Sequence, residues 1–477
     1  MSYILAIDQS TQATKAFLVD SSASITRRAA IPHKQHISPQ GWVSHDLEEI
    51  YANLLEAVRQ VTEGIDKSAV ACVGLTNQRE TACAWSREGK SLTHAVVWQC
   101  SRAKALVEKL NTVSFSDDVK RITGLPLSPY YAGPKFAWLL QNVSRVRGTE
   151  DLHFGTVDSF LLYRLTGQFR TDVTNASRTM LMDLEQLCWD DTIRAAFGIP
   201  KTALPEILPC DAVFGETDFE GLLPRKIPVT AVMGDSHAAF FAQCCTEPGD
   251  TKVTYGTGSS VMMNIGPAPR PSGGGIVTSV GYSYQGRLVY VLEGNINYSA
   301  AVITWLKDQV GLIAGPAETE AMAYAANPED TTCLVPAFSG LSAPYNQPQA
   351  TAILTGMTRL TGRNEIARAA LDAIAFQIRD VTASMEAQSG KPLQTLYADG
   401  GAVRNRYLMQ FQADISGVTV RASAEDALSA LGAAQMAGRL AALQRESTAY
   451  TPAWSESIRK EKQNQWARAV RLCSQGL

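Results

Sequence analysis

The 477-residue chain has no basic block, no CxxC pair and no apolar run long enough to span a membrane. Its formal net charge is −3, so an extended nucleic-acid surface is not expected. The nine cysteines are scattered and odd in number, which indicates neither a disulfide framework nor a zinc site. Asp8 interrupts the first apolar segment before a signal-peptide core could form. These absences predict a soluble cytoplasmic protein without a membrane or nucleic-acid partner.

The composition is that of a large folded protein. Hydrophobic residues make up 45% and charged residues 19%, which permits a large buried core. The length favours two or three domains. Pro248 and Gly249 punctuate the chain between a small-residue helix and a strand pattern, so we place a boundary there, giving domains 1–248 and 249–477. Strand and helix patterns alternate, as is typical of α/β folds.

One short pattern occurs twice, once in each half. ILAIDQSTQATKAFLVD and TKVTYGTGSSVMMNIG both run from an apolar strand through a tip of small and hydroxylated residues into a second strand. At such tips, backbone N–H groups and hydroxyls can converge on an anion. Thr11 and Thr257 mark equivalent places, so the pattern predicts two similar domains that close on one nucleotide. The alternative is two ordinary hairpins with polar turns.

Several longer segments have clear periodicity. HDLEEIYANLLEAVRQVTEGI, GPKFAWLLQNV, ARAALDAIAFQIRDVTASMEAQ and DALSALGAAQMAGRLAAL are predicted to be helices. The segments ACVGLTN and IPVTAVMG are predicted to be buried strands. Residues 84–91 match a relaxed P-loop pattern, but SREGK is more typical of a hairpin turn between two strands, the second being SLTHAVVW. We therefore reject a P-loop.

Asp235 is the best candidate for a catalytic base. It follows the apolar strand IPVTAVMG and precedes the helix pattern AAFFAQCC, and α/β sheets place ligands at such strand ends. A carboxylate there can accept the proton of an alcohol that attacks phosphorus. The alternative is a helix N-cap, which is a common use of Asp.

Other polar groups suggest substrate and cation contacts. Arg79 and Glu80 combine donors with acceptors, which suits the adjacent hydroxyls of a polyol, although a strand-end ion pair is the alternative. Asp8 is a hard oxygen ligand suited to water-mediated Mg²⁺ binding, or else a turn residue. Gly401 and Asn405 belong to a Gly-rich turn between a strand and a helix, where a nucleotide can approach the backbone.

Taken in order, these segments resemble the FGGY carbohydrate kinases over nearly the whole chain. The motifs that carry the resemblance are IDQSTQATK, GLTNQRET, VVWQCSR, ITGLPLSPYYAGPK, FGTVDSFLLYRLTG, TDVTNASRTML, GDSHAAFFAQ, TYGTGS, VPAFSGLSAPY and DGGAVRNRYLMQFQADI. The resemblance implies the two-domain α/β fold of the actin, hexokinase and Hsp70 ATPases, with RNase H-like cores. It also implies ATP and Mg²⁺ as cofactors, a small polyol or sugar as substrate, and a homodimer.

The resemblance also assigns roles. It makes Asp235 the catalytic base, and Mg²⁺ is expected at Asp8, through water, and at Asp235. The polyol-binding positions are Arg79, Glu80, Trp98, Tyr130, Asp235, Ser236 and Ser260. The nucleotide-side positions are Ser10, Thr11, Gln12, Lys15, Thr257, Ala300, Thr304, Gly401 and Asn405.

The chain departs from the family at the pocket. Members that phosphorylate glycerol usually have Gln where Ser236 stands and Phe where Ser260 stands. The first phosphate loop is also altered at Ser10, Gln12 and Lys15, and Ala300 and Thr304 replace Gly and Gln. Two large groups have thus become small and hydroxylated, which predicts a roomier and more polar pocket. We expect an ATP-dependent kinase of glycerol or of a somewhat longer polyol or ketose. The alternative is a non-catalytic ligand-sensing protein that keeps the fold.

Overall fold

A six-stranded mixed sheet forms the centre of the N-terminal half in the computed structural model, which describes residues 2–440 and 446–474. Its strands, in spatial order, are Gly215–Thr217 (β14), Ile227–Gly234 (β15), Val70–Asn77 (β6), Tyr3–Gln9 (β1), Ala13–Asp20 (β2) and Ile25–Pro32 (β3). The strands β15, β6 and β1 are parallel, whereas β1, β2 and β3 form an antiparallel meander. The predicted first hairpin and the predicted strands at β6 and β15 are confirmed.

A seven-stranded sheet forms the centre of the C-terminal half. Its strands, in spatial order, are Ile276–Tyr284 (β18), Arg287–Ile296 (β19), Ser259–Gly266 (β17), Thr251–Tyr255 (β16), Leu396–Gly400 (β22), Val420–Ala422 (β23) and Thr448–Tyr450 (β24). The strand β16 pairs antiparallel with β17 and parallel with β22. The strand β1 pairs in the same two ways with β2 and β6, so the two sheets share a core pattern and the two hairpins are equivalent.

The strands outside these two large sheets are short. They are His36–Ile37 (β4), Val43–His45 (β5), Cys83–Ser86 (β7), Ala95–Val96 (β8), Leu152–Gly155 (β9), Arg170–Asp172 (β10), Met182–Asp183 (β11), Cys188–Trp189 (β12), Glu206–Leu208 (β13), Cys333–Val335 (β20) and Ile353–Thr355 (β21). The segment SREGK is a turn, with Trp85 bridged to Ser91, and no helix follows it. The P-loop is therefore excluded. The strand predicted after this turn is shorter than expected, because only β8 and the single bridge at Ser91 form.

The helices lie around the two sheets. They are Leu47–Val61 (α1), Lys104–Leu110 (α2), Val113–Thr123 (α3), Ala132–Asn142 (α4), Ser144–Arg147 (α5), Val157–Thr166 (α6), Val173–Ser177 (α7), Asp191–Ala196 (α8), Asp235–Ala242 (α9), Ala301–Asp308 (α10), Glu318–Ala325 (α11), Arg363–Ser389 (α12), Arg406–Ser416 (α13), Leu428–Ala437 (α14) and Glu456–Ser474 (α15). In the described part of the chain, none combines the length and the apolar content that a membrane span needs.

Local sequence explains where the predicted helices begin. The helix α1 begins after Asp46, whose side chain accepts a hydrogen bond from the backbone N–H of Glu48. Its apolar positions, among them Leu47, Ile50 and Leu54, are fully buried against the first sheet. This N-cap bond supplies an acceptor for one of the free backbone donors of the first turn. The helices predicted at α4 and α12 are also confirmed.

The helix α14 belongs to the C-terminal half and packs against the N-terminal sheet. It packs against α9, β6, β1 and β15. A Cβ at Gly432 would lie 1.9 Å from the backbone oxygen of Ala238, so only glycine permits this approach. The last residues of the predicted helix, 441–443, lie outside the described residues. Because α14 crosses from one half to the other, the division at residues 248 and 249 stays a prediction.

Candidate active site

Asp235 is the first residue of α9, at the C-terminal end of β15. Asp235 is not the N-cap of α9, which is Gly234, so the N-cap alternative is wrong. Its Oδ1 accepts a hydrogen bond from the N–H of Ser236 at 2.6 Å and lies 3.5 Å from Nε of Arg79. The side chain is 34% exposed, so the carboxylate remains accessible to a ligand.

Arg79 and Glu80 lie just beyond the end of β6, and both are buried. Their closest approach to each other is 3.9 Å, whereas each has a better partner elsewhere. Arg79 donates to both carboxylate oxygens of Glu293, at 2.8 and 2.9 Å. Glu80 accepts from Nε of Arg178 at 2.6 Å. Both residues are thus held in ion pairs, as the alternative expected, although their stronger partners are distant in sequence, and their contact with a polyol stays a prediction.

Trp98 and Tyr130 form an aromatic wall beside these charges. Their rings meet edge to face, with centroids 5.8 Å apart. The buried ammonium of Lys135 donates to the backbone oxygens of Glu80, at 3.0 Å, of Trp98, at 3.2 Å, and of Tyr130. One ammonium group thus contacts three of the residues that are predicted to bind the polyol. Burial lowers the pKa of Lys135 to about 7.

Ser236 lines a cavity of about 380 Å³ together with Asp235. Lys252, Thr254 and Asp399 of the second sheet form the opposite side of this cavity. Ser260 lies on β17 opposite Thr254, and its hydroxyl is buried without a hydrogen-bond partner. Ser236 thus borders the cavity directly, whereas Ser260 pairs with the lining residue Thr254 and is not itself a lining residue.

A larger cavity of about 900 Å³ lies against the second sheet. It is lined by five predicted nucleotide positions, which are Thr257, Ala300, Thr304, Gly401 and Asn405. Apolar walls come from Ile303, Leu371, Ile374 and Leu408. An apolar slot with a few polar groups suits a purine nucleoside.

The four remaining nucleotide positions, Ser10, Thr11, Gln12 and Lys15, lie on the first hairpin. The hydroxyl of Ser10 donates to the backbone oxygen of Ala13, which closes the tip. Gln12 is exposed, and its backbone oxygen accepts a hydrogen bond from the N–H of His33. These hydrogen bonds to backbone oxygens hold the hairpin, and Gln12 at its tip stays exposed.

Asp8 lies within β1 rather than in the turn, so the turn alternative is wrong. Its Oδ2 is 3.5 Å from the Lys15 ammonium, and its Oδ1 is buried without a partner. Burial raises the pKa of Asp8 to about 6; Lys15 opposes this shift and Asp235 adds to it. An unpartnered carboxylate oxygen fits a cation bound through water. In the described residues, no group of three His, Cys, Asp or Glu side chains could hold a metal directly.

Sequence reasoning missed four polar residues of this region. They are Lys135, Arg178, Glu293 and Asp399. Glu293 had one usable signal, since it is the one acidic residue of β19 and directly follows the apolar run LVYVL. Arg178 stands in the motif TDVTNASRTML, but nothing in that motif shows its partner 98 residues away. The pairing of these charges depends on the fold and could not be read from spacing.

Two facing sheets, with Asp235 at one strand end and a cavity of about 900 Å³ across the cleft, are also found in a known family. The FGGY family of carbohydrate kinases matches in two parts, its N-terminal domain over residues 3–242 and its C-terminal domain over residues 251–441. The chain belongs to this family. It has the two-domain α/β fold of the actin and hexokinase type, as predicted.

Within the family, several similar proteins are glycerol kinases. Glycerol kinase 1 of Thermotoga maritima is 42% identical, with 98% of this chain and 99% of that protein aligned. A glycerol kinase of Carboxydothermus hydrogenoformans is 39% identical, over 98% of this chain and 97% of the relative. The crystal structure of Plasmodium falciparum glycerol kinase with ADP has a TM-score of 0.95 and 33% identity, and covers 100% of this chain and 99% of its own. A xylulose kinase of Lactobacillus acidophilus shares the fold, with a TM-score of 0.88 and 21% identity over 99% and 98% of the two chains.

Proposed function

We propose that this protein transfers the terminal phosphoryl group of ATP to a hydroxyl of glycerol or of a similar polyol, giving the phosphate ester and ADP. One observation carries the proposal. The cavity that contains Asp235 and the larger cavity against the second sheet share two lining residues, Gly401 and Arg404. A hydroxyl held at Asp235 and a nucleotide held in the larger cavity would therefore meet. The full-length similarity to glycerol kinases supports the same reaction.

The polyol would bind at the charged end of the cleft. Arg79 and Glu80 would donate to and accept from neighbouring hydroxyls, because guanidinium N–H groups only donate and a carboxylate only accepts. Trp98 and Tyr130 would cover the carbon chain with their rings. Asp235 would accept the proton of the reacting hydroxyl as its oxygen attacks phosphorus. Its carboxylate is suited to that role, because it is 34% exposed and, among the described residues, accepts one hydrogen bond, from the N–H of Ser236.

The nucleotide would bind through both halves. The apolar walls of the larger cavity would hold the base and ribose, with Thr257, Ala300, Thr304, Gly401 and Asn405 around them. The tip at Thr257 and the opposite tip of the first hairpin, Ser10, Thr11 and Gln12 with Lys15, would approach the phosphates. Mg²⁺ would offset phosphate charge. The free oxygen of Asp8, through water, and the carboxylate of Asp235 would face it.

Turnover by the purified protein tests this proposal. The protein is incubated with ATP, Mg²⁺ and, in separate reactions, glycerol, four- and five-carbon polyols, and four- and five-carbon ketoses. ADP is followed by a coupled assay and the ester by ³¹P NMR. We expect a phosphate ester in at least one reaction, in step with ADP release. Polyol or ATP binding without turnover on any substrate would instead support the alternative, a ligand-sensing protein without catalysis.

Two further expectations concern the state of the protein in the cell. We propose a homodimer and a cytoplasmic location. Analytical ultracentrifugation of the purified chain tests the first, and a single monomeric species at micromolar concentration would contradict it. Fractionation of the source cells tests the second.

A further inference from the structure

Four buried charges form one chain of contacts across the two halves. Arg79 and Glu80 come from the end of β6, Arg178 directly follows α7, and Glu293 comes from β19 of the second sheet. Glu293 binds both terminal nitrogens of Arg79 and lies 3.3 Å from Nη1 of Arg178. Arg178 in turn donates to Glu80. The four charges sum to zero, and each side chain is at most 7% exposed.

Glu293 is held as a carboxylate in this site. It is fully buried in an apolar strand, where burial alone would favour the neutral acid. The neighbouring guanidinium groups of Arg178 and Arg79 outweigh burial and hold the pKa of Glu293 well below its usual range. Charged partners at hydrogen-bond distance and a two-point contact give this pair a fixed geometry.

Glu293 and the carboxylates of the N-terminal half contact different sides of Arg79. Glu293 takes the outer edge of the guanidinium, Nη1 and Nη2, and the inner Nε lies 3.5 Å from Asp235 and 3.9 Å from Glu80. The stem of Arg79 lies against Gly234, where a Cβ would be 2.8 Å from its Cγ and Cδ. The arginine is thus fixed at both ends, with its polar inner side towards the proposed base.

We propose that Glu293 is a positioning residue through which the C-terminal half orients Arg79 for the polyol. The role rests on the proposed function. Since Glu293 belongs to β19 and Arg79 to the end of β6, the polyol site is complete only when the second sheet is seated on the first. Polyol binding and contact between the halves are then coupled through one carboxylate.

Two variants of Glu293 and one control test this role. Glu293→Gln keeps the length of the side chain and removes its charge, while Glu293→Asp keeps the charge but is too short to reach both nitrogens. The control is Asp330→Asn, which removes another buried carboxylate that pairs with an arginine, Arg368, within the C-terminal half. Asp330 lines neither cavity of the cleft. The measurements are thermal unfolding and separate kcat and KM values for glycerol and ATP.

We expect kcat/KM for glycerol to fall about 10²-fold in Glu293→Gln, because a small misplacement of a contacting group has effects of this size. KM for ATP should change little, and Glu293→Asp should lie between Glu293→Gln and the wild type. Asp330→Asn should lower stability and leave both KM values near wild type. A Glu293→Gln enzyme with wild-type kcat/KM for glycerol would overturn the role. So would equal losses for glycerol and ATP.

Hydrogen exchange of the wild type decides the case if neither Glu293 variant folds. Glycerol alone, without nucleotide, should slow amide exchange in residues 290–296 of β19 as well as in residues 77–81. Protection confined to residues 77–81 would overturn the coupling.

The wild-type activity assay distinguishes failure of the proposed function from failure of the role of Glu293. A wild type that phosphorylates no polyol refutes the proposed function, and the positioning role falls with it, whereas an active wild type with an unaffected Glu293→Gln variant refutes only the role of Glu293.

Discussion

The indole N–H of Trp98 donates a hydrogen bond to the hydroxyl of Thr11, at 3.1 Å. Trp98 belongs to the predicted polyol set and Thr11 to the predicted nucleotide set, so one bond joins the two sites. The backbone oxygen of Thr11 also lies 3.0 Å from Nε2 of His33, which fixes the hairpin tip from its other side. A change in the position of the hairpin tip should therefore move the rings of Trp98 and Tyr130.

Trp98→Phe tests this link. The substitution keeps an aromatic ring and removes the bond, which is worth about 1 kcal/mol. We expect KM to rise roughly fivefold for both the polyol and ATP, since 1.4 kcal/mol corresponds to a factor of ten. Trp189→Phe is the control, because it removes an indole hydrogen bond to the backbone oxygen of Pro205 outside the site. A rise in KM for the polyol alone would mean that the two sites are independent.

Lys135→Met removes the ammonium group that contacts three residues predicted to bind the polyol, Glu80, Trp98 and Tyr130. The substitution leaves three buried backbone oxygens without their shared donor. We expect a loss of roughly 1–3 kcal/mol of stability, the cost of unsatisfied buried groups, together with a higher KM for the polyol. Lys67→Met is the control, since Lys67 donates to one backbone oxygen, that of Leu222, away from the site. Denaturant unfolding and steady-state kinetics measure the two effects, and a Lys135 variant no worse than the control contradicts this account.

Asp158 should make stability depend on pH. It is fully buried, and burial, with the nearby Asp172 carboxylate, raises its pKa from 3.8 to about 7. Between these two values the folded state binds more protons than the unfolded state, so stability falls as pH rises through this window. The effect is about 1.4 kcal/mol for each unit of difference in pKa.

Asp158→Asn should remove this dependence. The hydroxyls of Thr156 and Thr171 donate to different oxygens of Asp158, so in the variant one can turn to accept from the amide NH2 while the other still donates to the amide oxygen. We expect the variant to gain stability relative to the wild type as the pH is raised from 4 to 8. Urea unfolding at several pH values measures this difference, and a difference that is constant with pH would show that Asp158 does not titrate in this range.

Ser236 and Ser260 should determine which length of substrate the enzyme prefers. Ser260 keeps a buried hydroxyl without a partner, and Ser236 borders the cavity at Asp235. A polyol or ketose longer than glycerol could fill this space and supply a partner, so we expect the wild type to prefer it. Ser236→Gln with Ser260→Phe should shift the ratio of kcat/KM values towards glycerol, by an amount within the roughly 10–200-fold range that pocket contacts of this size allow. A wild type that already phosphorylates glycerol best would contradict this prediction.

Local sequence predicted the elements of the fold better than the contacts of the site. The two hairpins, the strand before Asp235 and the helix α12 follow from patterns within short segments. The partner of Arg79 is 214 residues away, on a strand whose pattern indicates only burial. The N-cap alternative for Asp235 failed because Gly234, one residue earlier, already occupies that position. Long-range pairing depends on how the two sheets face each other, which no single segment encodes.

Asp235→Asn tests the central claim most directly. An amide of nearly the same shape cannot accept the proton of the attacking hydroxyl, and general-base assistance is worth ~10²–10⁴-fold. The measurement is kcat on the preferred substrate together with polyol affinity by calorimetry, for wild type and variant side by side. The account predicts that kcat falls by that factor while the dissociation constant of the polyol stays near the wild-type value. A variant that keeps wild-type kcat would contradict the role of Asp235 as the base.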